Sequence, residues 1–371
     1  LDGVFSHTGC DSRYFNMYSH YDDIGAYNSK ESPYFSWYKF INWPDEYHSW
    51  WGIKLLPEVI EEDEGYRNYI CGENGILKKW LRCGIAGYRL DVADELPDIF
   101  LDDLRKSVKS ENENAIIIGE VWEDATNKFA YGQRRRYLLG EELDSVMNYP
   151  FADAILNFVR YSNGNAFFNA VLSIIENYPP QVLNVLMNHI GTHDTERAIT
   201  RLAGENPDGH DRAWQFEHNT LSEFDYLKGI SMMKIASLIQ FTLPGVPSIY
   251  YGDEIGMQGM KDPFNRGCMA WDKPNEELLK WYKRLGQIRH SSKAFIDGDF
   301  EKLYCDGGVI AYSRSSEGDN ILVAINNSNE QKRIFVGTQW DNSYSLFDEK
   351  SVDGFVNLPP YRYTLLSKKE Y

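Results

Sequence analysis

The 371-residue chain sets 38 Lys and Arg against 55 Asp and Glu, a formal charge of -17, and 43% of its residues are apolar. That charge repels phosphate backbones and anionic lipid surfaces, so neither nucleic acid nor a membrane is an expected partner, while the length and apolar content suffice for one large barrel plus a small second domain. No run approaches the roughly 20 continuous apolar residues of a membrane helix, and five scattered cysteines without metal-type spacing read as reduced thiols of a cytoplasmic protein.

Taken in chain order, residues 1–5 read as a strand that ends in LDGVFSHTG. Leu1 is not an initiator methionine and no signal-like start precedes this strand, so the sequence is expected to be N-terminally truncated. A stretch from about 8 to 73 follows, rich in Tyr, Trp, Asp and Ser, with little helical period. It far exceeds an ordinary strand-to-helix loop of two to six residues and is expected to be an inserted domain that walls a cleft. Further strands are predicted over 86–90, 115–119, 145–147, 183–187 and 246–250, with helical patterns between most of them. Asn275 is placed to cap a helix whose apolar face is Leu278, Trp281, Tyr282 and Leu285. Beyond about 297 the pattern changes to short alternating strands, as in VIAYSRSS, NILVAINNS, QKRIFVG and YRYTLL.

These elements predict an α/β chain: a (β/α)8 barrel over 1–296, with six strands in this sequence where a closed barrel takes about eight. Residues 297–371 are expected to form an antiparallel β-sandwich domain. An open six-strand array would expose two unpaired edges, so the isolated chain is expected to be unstable or weakly active.

Four segments end their apolar runs in polar side chains: LDGVFSHTG, GYRLDVADE, IIIGEVWED and GTHDTER. Parallel barrels gather such residues at the C-terminal ends of their strands. Asp91, Glu120 and Asp194 are thereby expected to converge, with His7, Arg89 and His193. A retaining glycosidase needs one ionised nucleophilic carboxylate and a second held protonated until it donates to the leaving oxygen. Arg89 lies two residues before Asp91, on the same strand face, and would keep Asp91 ionised. Glu120 follows the apolar run AIIIG, where burial favours the protonated form. His189 and His193 are four apart, but Gly191 and Thr192 break the helix that a metal pair at that spacing requires, so His189 reads as a structural histidine. Asp253 and Glu254 sit between Gly252 and Gly256 and read as turn residues. Arg134, Arg135 and Arg136 read as salt-bridging surface arginines.

With its four motifs in order, the chain resembles the alpha-amylase family, glycoside hydrolase family 13. The phrases HDTER and YYGDEIG are most similar to the cyclomaltodextrinase, neopullulanase and maltogenic amylase group. The resemblance implies Asp91 as nucleophile, Glu120 as general acid and base, and Asp194 as transition-state stabiliser. His7, Arg89, His193, Trp122 and Arg197 are implied as substrate-binding residues. It also implies a retaining hydrolase of α-1,4 and, as a second class, α-1,6 glucosidic bonds in malto-oligosaccharides, cyclodextrins, pullulan or starch, with transglycosylation and a homodimer of the full-length protein as further expectations. No cofactor and no protein-bound metal are expected. Ser6 replaces the Asn that ligates calcium in many alpha-amylases, and Glu95 stands where those enzymes often have His. Asp94 replaces an Asn common in the subgroup, and IKLLP only partly resembles its MPKLN signature. The alternatives are a non-catalytic glycan-binding relative, although all three acids are retained, and a barrel metallohydrolase using His7, His189 and His193.

Overall fold

Backbone pairing begins at the second residue of the chain. The computed structural model describes residues 1–347, 351–352 and 354–368, and they fall into two compact units, Leu1–Met147 and Asn148–Tyr371.

In the first unit four parallel strands, β1 (Asp2–Gly3), β2 (Gly87–Leu90), β3 (Ile116–Gly119) and β4 (Ser145–Val146), form one sheet in that order. The register pairs Gly3 with Leu90, Leu90 with Gly119 and Gly119 with Val146, so the strands end in one line. Asp91 and Glu120 are the first residues past that line. The strands read as apolar runs because a parallel sheet is covered on both faces; Tyr88, Leu90 and Ile117 are all buried. Gly87 has a positive φ of 148°, and a Cβ there would lie 2.0 Å from the Ile116 carbonyl oxygen, so strand contact at this point requires glycine. Helix α1 (Asp98–Glu111) buries Phe100, Leu101, Leu104 and Val108 on one face, and each such side chain stabilises the fold by about 1.5 to 3 kcal/mol.

The long excursion has little ladder of its own: the hairpin of Phe40–Asn42 with Glu46–Tyr47 and isolated bridges of Tyr38 with Val59 and Ser49 with Pro57. Aromatic packing replaces it. Phe15 is fully buried, stacked on Phe40 at 5.9 Å and edge-on to Tyr38 and Tyr47 at 4.9 and 4.7 Å. Trp37 makes a second cluster with Tyr14, Tyr34, Tyr66 and Tyr69. Much of the aromatic excess of this stretch is therefore core.

In the second unit the predicted apolar run at 183–187 differs from expectation: Pro180–Leu183 is a short helix, and only β5 (Met187–Asn188) pairs, in parallel, with β6 (Val246–Pro247). Proline at the start of a helical turn is well tolerated; the turn takes up Leu183, and residues 184–186 connect it to the strand. The long helix α2 (Glu223–Thr242) ends against two cations. Arg289 donates to the carbonyls of Phe241 and Gly245, and the fully buried Arg314 donates to those of Thr242 and Gly298. Burial lowers both guanidinium pKa values to about 10, and positive charge at a helix C-terminus offsets part of that cost. Helix α3 (Glu276–Ser291) is capped as predicted, the Asn275 side chain accepting from the Leu278 N–H, with Leu278, Tyr282 and Leu285 buried; Trp281 is half-buried.

The C-terminal strands are present where the alternation places them: Val309–Ser316, Asp319–Asn326 and Arg362–Ser367 in a six-stranded sheet, and Lys332–Phe335 paired with Phe355–Leu358. The junction expected at 296/297 falls inside the second unit, within the last residues of the helix Ala294–Asp297 and just before the strand Asp299–Asp306. Among the described residues no helix is long and apolar enough to cross a membrane.

Candidate active site

The end of the first unit's parallel sheet is organised around Arg89. Its Nη1 donates to Asp91 Oδ1 at 2.7 Å and to Asp2 Oδ1 at 2.9 Å, while Nη2 donates to Glu120 Oε2 at 2.7 Å. One planar guanidinium thus holds both carboxylates that the sequence singled out, a geometry lysine cannot supply. Burial opposes the Arg89 charge, but the fields of Glu120 and Asp2 and the hydrogen bonds to Asp2 and Asp91 outweigh it and raise its pKa.

Glu120 is only 6% exposed. Besides Arg89, its Oε2 accepts from the Val92 N–H at 2.9 Å, and its Oε1 accepts from Trp122 Nε1, also at 2.9 Å. Trp122 itself is about half exposed, so its indole lies between solvent and the carboxyl group. His7 Nδ1 lies 3.0 Å from Ser6 Oγ, and its ring packs on Trp50 with centroids 5.1 Å apart. Burial lowers the His7 pKa despite the opposing fields of Asp91 and Glu95, which favours a neutral imidazole able to exchange hydrogen bonds with hydroxyls.

A cavity of about 480 Å³ opens beside this sheet end, lined by Trp50, Trp51, Glu61, Glu95 and Tyr131 among others. Trp51 and Tyr131 are 78% and 76% exposed. The excursion does wall this space, as its length suggested. It is joined to the segment after Asp91 by Glu95, whose two carboxylate oxygens accept from Trp50 Nε1 at 2.6 Å and Trp51 Nε1 at 2.9 Å. Ser6 is taken up by His7. Among the described residues no group of three or more His, Cys, Asp or Glu could hold a metal ion.

In the second unit His193 Nε2 lies 3.2 Å from Asp194 Oδ2, and Arg266 Nη2 lies 3.5 Å from Asp194 Oδ1. The wholly buried Asn265 donates from Nδ2 to the carbonyls of His193 and Thr195, both at 2.7 Å, gripping the backbone on either side of Asp194. Neither Asn265 nor Arg266 lies in one of the four motif segments; both stand in the run DPFNR, well after them in the chain.

Arg197 departs from its expected part as a substrate contact. It is fully buried, donates to the Tyr251 carbonyl, lies 3.7 Å from Asp253 and sits over the rings of Tyr250 and Tyr251. An arginine with no exposed surface supports the loop and cannot reach a ligand in the cleft. The Asp253 carboxyl beneath it is pushed up to about 7 by burial, with Arg197 opposing the rise, and a Cβ on Gly191 would lie 2.5 Å from its Oδ2. Asp253–Ile255 is a short 3-10 turn between Gly252 and Gly256, both with positive φ, as the turn reading had it. His189 is buried edge-on to Tyr149, its pKa lowered to about 3 by burial, which suits a structural histidine. Of the arginine run, Arg135 is not on the surface: it is 6% exposed and donates to the carbonyls of Asp94 and Leu96.

Parallel strands with acids set just past their C-terminal ends place the chain among α/β catalytic domains of the barrel class. Comparison with known proteins is consistent with that class. Residues 1–343 match the model of the alpha amylase catalytic domain. The amylopullulanase of Thermoanaerobacter thermohydrosulfuricus is 33% identical over 384 residues, covering 91% of this chain and 25% of that protein. The cyclomaltodextrinase of Thermoanaerobacter pseudethanolicus is 32% identical over 348 residues, covering 91% of this chain and 53% of that one. Among solved structures, Ttha1563 from Thermus thermophilus superposes with a TM-score of 0.82 at 27% identity, over 100% of this chain and 76% of that one. The chain belongs to the alpha-amylase family. It spans about half the length, or less, of these curated relatives.

Proposed function

We propose that this chain is the catalytic part of a retaining α-glucan hydrolase acting on α-1,4 glucosidic bonds of malto-oligosaccharides, cyclodextrins, pullulan or starch, with α-1,6 bonds as a second substrate class. The observation that carries the reading is the Arg89 fork on Asp91 and Glu120, which suits two carboxyl groups at the retaining spacing of about 5 to 5.5 Å. The family's relatives named cyclomaltodextrinase, neopullulanase and maltogenic amylase support the substrate class.

In the proposed double displacement Glu120 gives its proton to the glycosidic oxygen as the C1–O bond breaks, and Asp91 closes an ester bond on C1. Oε1 is the oxygen suited to carry that proton, because Oε2 is held by Arg89 and Val92. Glu120 then takes a proton from water, whose oxygen displaces Asp91 from C1, and the configuration is retained. Asp194, paired with His193, is proposed to hold sugar hydroxyls in the flattened transition state, with His7 and Trp122 as further sugar contacts. Exposed Trp51 and Tyr131 offer apolar faces for glucose rings. The reading includes membership of the six parallel strands in a closed eight-stranded barrel, an inserted domain over about 8–73, a C-terminal β domain from 297, no required metal, and action in the cytoplasm; five free thiols support the last.

Reducing-sugar release from β-cyclodextrin, pullulan, maltotriose and starch tests the proposal, with Glu120→Gln beside the natural chain. Loss of an acid–base group lowers the rate by about 100-fold or more. Equal release by the two chains would refute the assignment.

A further inference from the structure

The residue that follows Asp91 has a backbone its side chain disfavours. Val92 sits at φ 38° and ψ 61°, in the left-handed region. Among the described residues it is the only β-branched one with positive φ. Glycine or asparagine occupies this region with far less strain, and a β-branched residue there is a genuine outlier that marks a constraint imposed from elsewhere.

The constraint is visible in what the turn does. It curls the chain back over Glu120, so that two successive N–H groups point at one residue: Val92 N lies 2.9 Å from Glu120 Oε2, and Ala93 N lies 3.1 Å from the Glu120 carbonyl oxygen. Glu120 N in turn donates to the Leu90 carbonyl. Arg89 and Trp122 hold the two carboxylate oxygens through side chains, each with rotatable bonds of its own. A second donor on Oε2, from a backbone that cannot rotate independently of Asp91, ties that oxygen directly to the nucleophile's own segment.

We propose that Val92 is a positioning residue, whose left-handed peptide aims its N–H at Oε2 and so fixes the acid relative to the nucleophile one residue earlier. The proposal rests on the reading of Glu120 as general acid. Its effect lies in the proton transfer: with Oε2 anchored, Oε1 faces the leaving oxygen.

The test replaces the Val92 amide by an ester, through incorporation of the α-hydroxy acid of valine, which deletes this one N–H and keeps the side chain. It is assayed as kcat/KM on maltotriose, whose leaving oxygen needs the proton, and on α-maltosyl fluoride, whose fluoride leaves without one; both values report steps up to formation of the Asp91 ester. Loss of one hydrogen bond to a charged group predicts a fall of about tenfold on maltotriose, with the fluoride rate spared. Unchanged maltotriose cleavage, or an equal fall on both substrates, overturns the proposal. Val92→Gly provides a second arm that does not depend on folding of the ester chain. It releases the strain and loosens the aim, so the melting temperature rises while the maltotriose-to-fluoride ratio falls; a lower melting temperature or an unchanged ratio overturns the proposal. Glu120→Gln, run in parallel, separates the two readings: if it spares maltotriose as well as the fluoride, the acid assignment itself has failed.

Discussion

Replacing Arg89 by lysine keeps the positive charge and removes the fork. In the protein Nη1 reaches Asp91 and Asp2 at 2.7 and 2.9 Å, and Nη2 reaches Glu120 at 2.7 Å, from opposite ends of a rigid plane. A lysine Nζ is one point and cannot sit at both ends, so at least one charge-assisted bond is lost. Each such bond is worth about 1.5 to 3 kcal/mol, which converts to a fall in kcat/KM of about 10- to 150-fold. Glu120 is buried, so a lost donor also shows in the fold: a destabilisation of about 1 to 3 kcal/mol, at roughly 1 to 1.5 °C per kcal/mol for a chain of this length. Initial rates on maltotriose and a thermal melt followed by circular dichroism measure the two effects. An Arg89→Lys chain with unchanged kcat/KM would show that charge alone suffices, and the argument from the fork would be wrong.

Three further outcomes follow from other contacts. Glu61 is 8% exposed, and burial, partly opposed by its own backbone N–H, raises its pKa from the usual carboxylate value to about 8. The folded state then keeps a proton that the unfolded chain releases between about pH 4.5 and 8, so this group's contribution to stability declines as pH rises through that window. Glu61→Gln retains the neutral form and is expected to melt higher than the natural chain above pH 8; an identical pH dependence would contradict this. Asn265→Ala frees the carbonyls on both sides of Asp194 and is expected to lower kcat on maltotriose about tenfold or more, at about 1 kcal/mol or more for each lost bond, with KM changed less; a fall confined to KM would point to a different role. Glu95→Ala leaves two indole N–H groups without their carboxylate and is expected to lower stability by about 1 to 3 kcal/mol. Calcium added to that variant should not restore its melting temperature, and restoration would argue for a cation site after all.

Much of the fold can be read from local pattern. All six parallel strands lie within or overlap the apolar runs that announce them, because most positions of a parallel sheet are covered and therefore apolar. The cap of α3 by Asn275 is local chemistry within one turn, and the C-terminal strands follow from alternation. The run at 183–187 misleads, since an apolar stretch of five residues is the same text in a helical turn and in a strand. The excursion shows the same limit: its Tyr and Trp content is plain, but whether a ring is core, like Phe15, or a free face, like Trp51, depends on neighbours distant in sequence.

At the site the division is sharper. The sequence alone singles out Arg89, Asp91 and Glu120, because position past a strand end and the i, i+2 spacing of one strand face are local properties. It cannot decide that Arg197 lies under its loop, that Arg135 is buried, or that Glu95 is bound by two tryptophans. Those outcomes rest on which groups meet across 41 residues, from Arg135 to Asp94, or across 45, from Trp50 to Glu95. Chain composition and periodicity carry no record of such pairings. They are settled only when folding brings a buried charge to the partner that makes its burial affordable, and for that the tertiary structure is required.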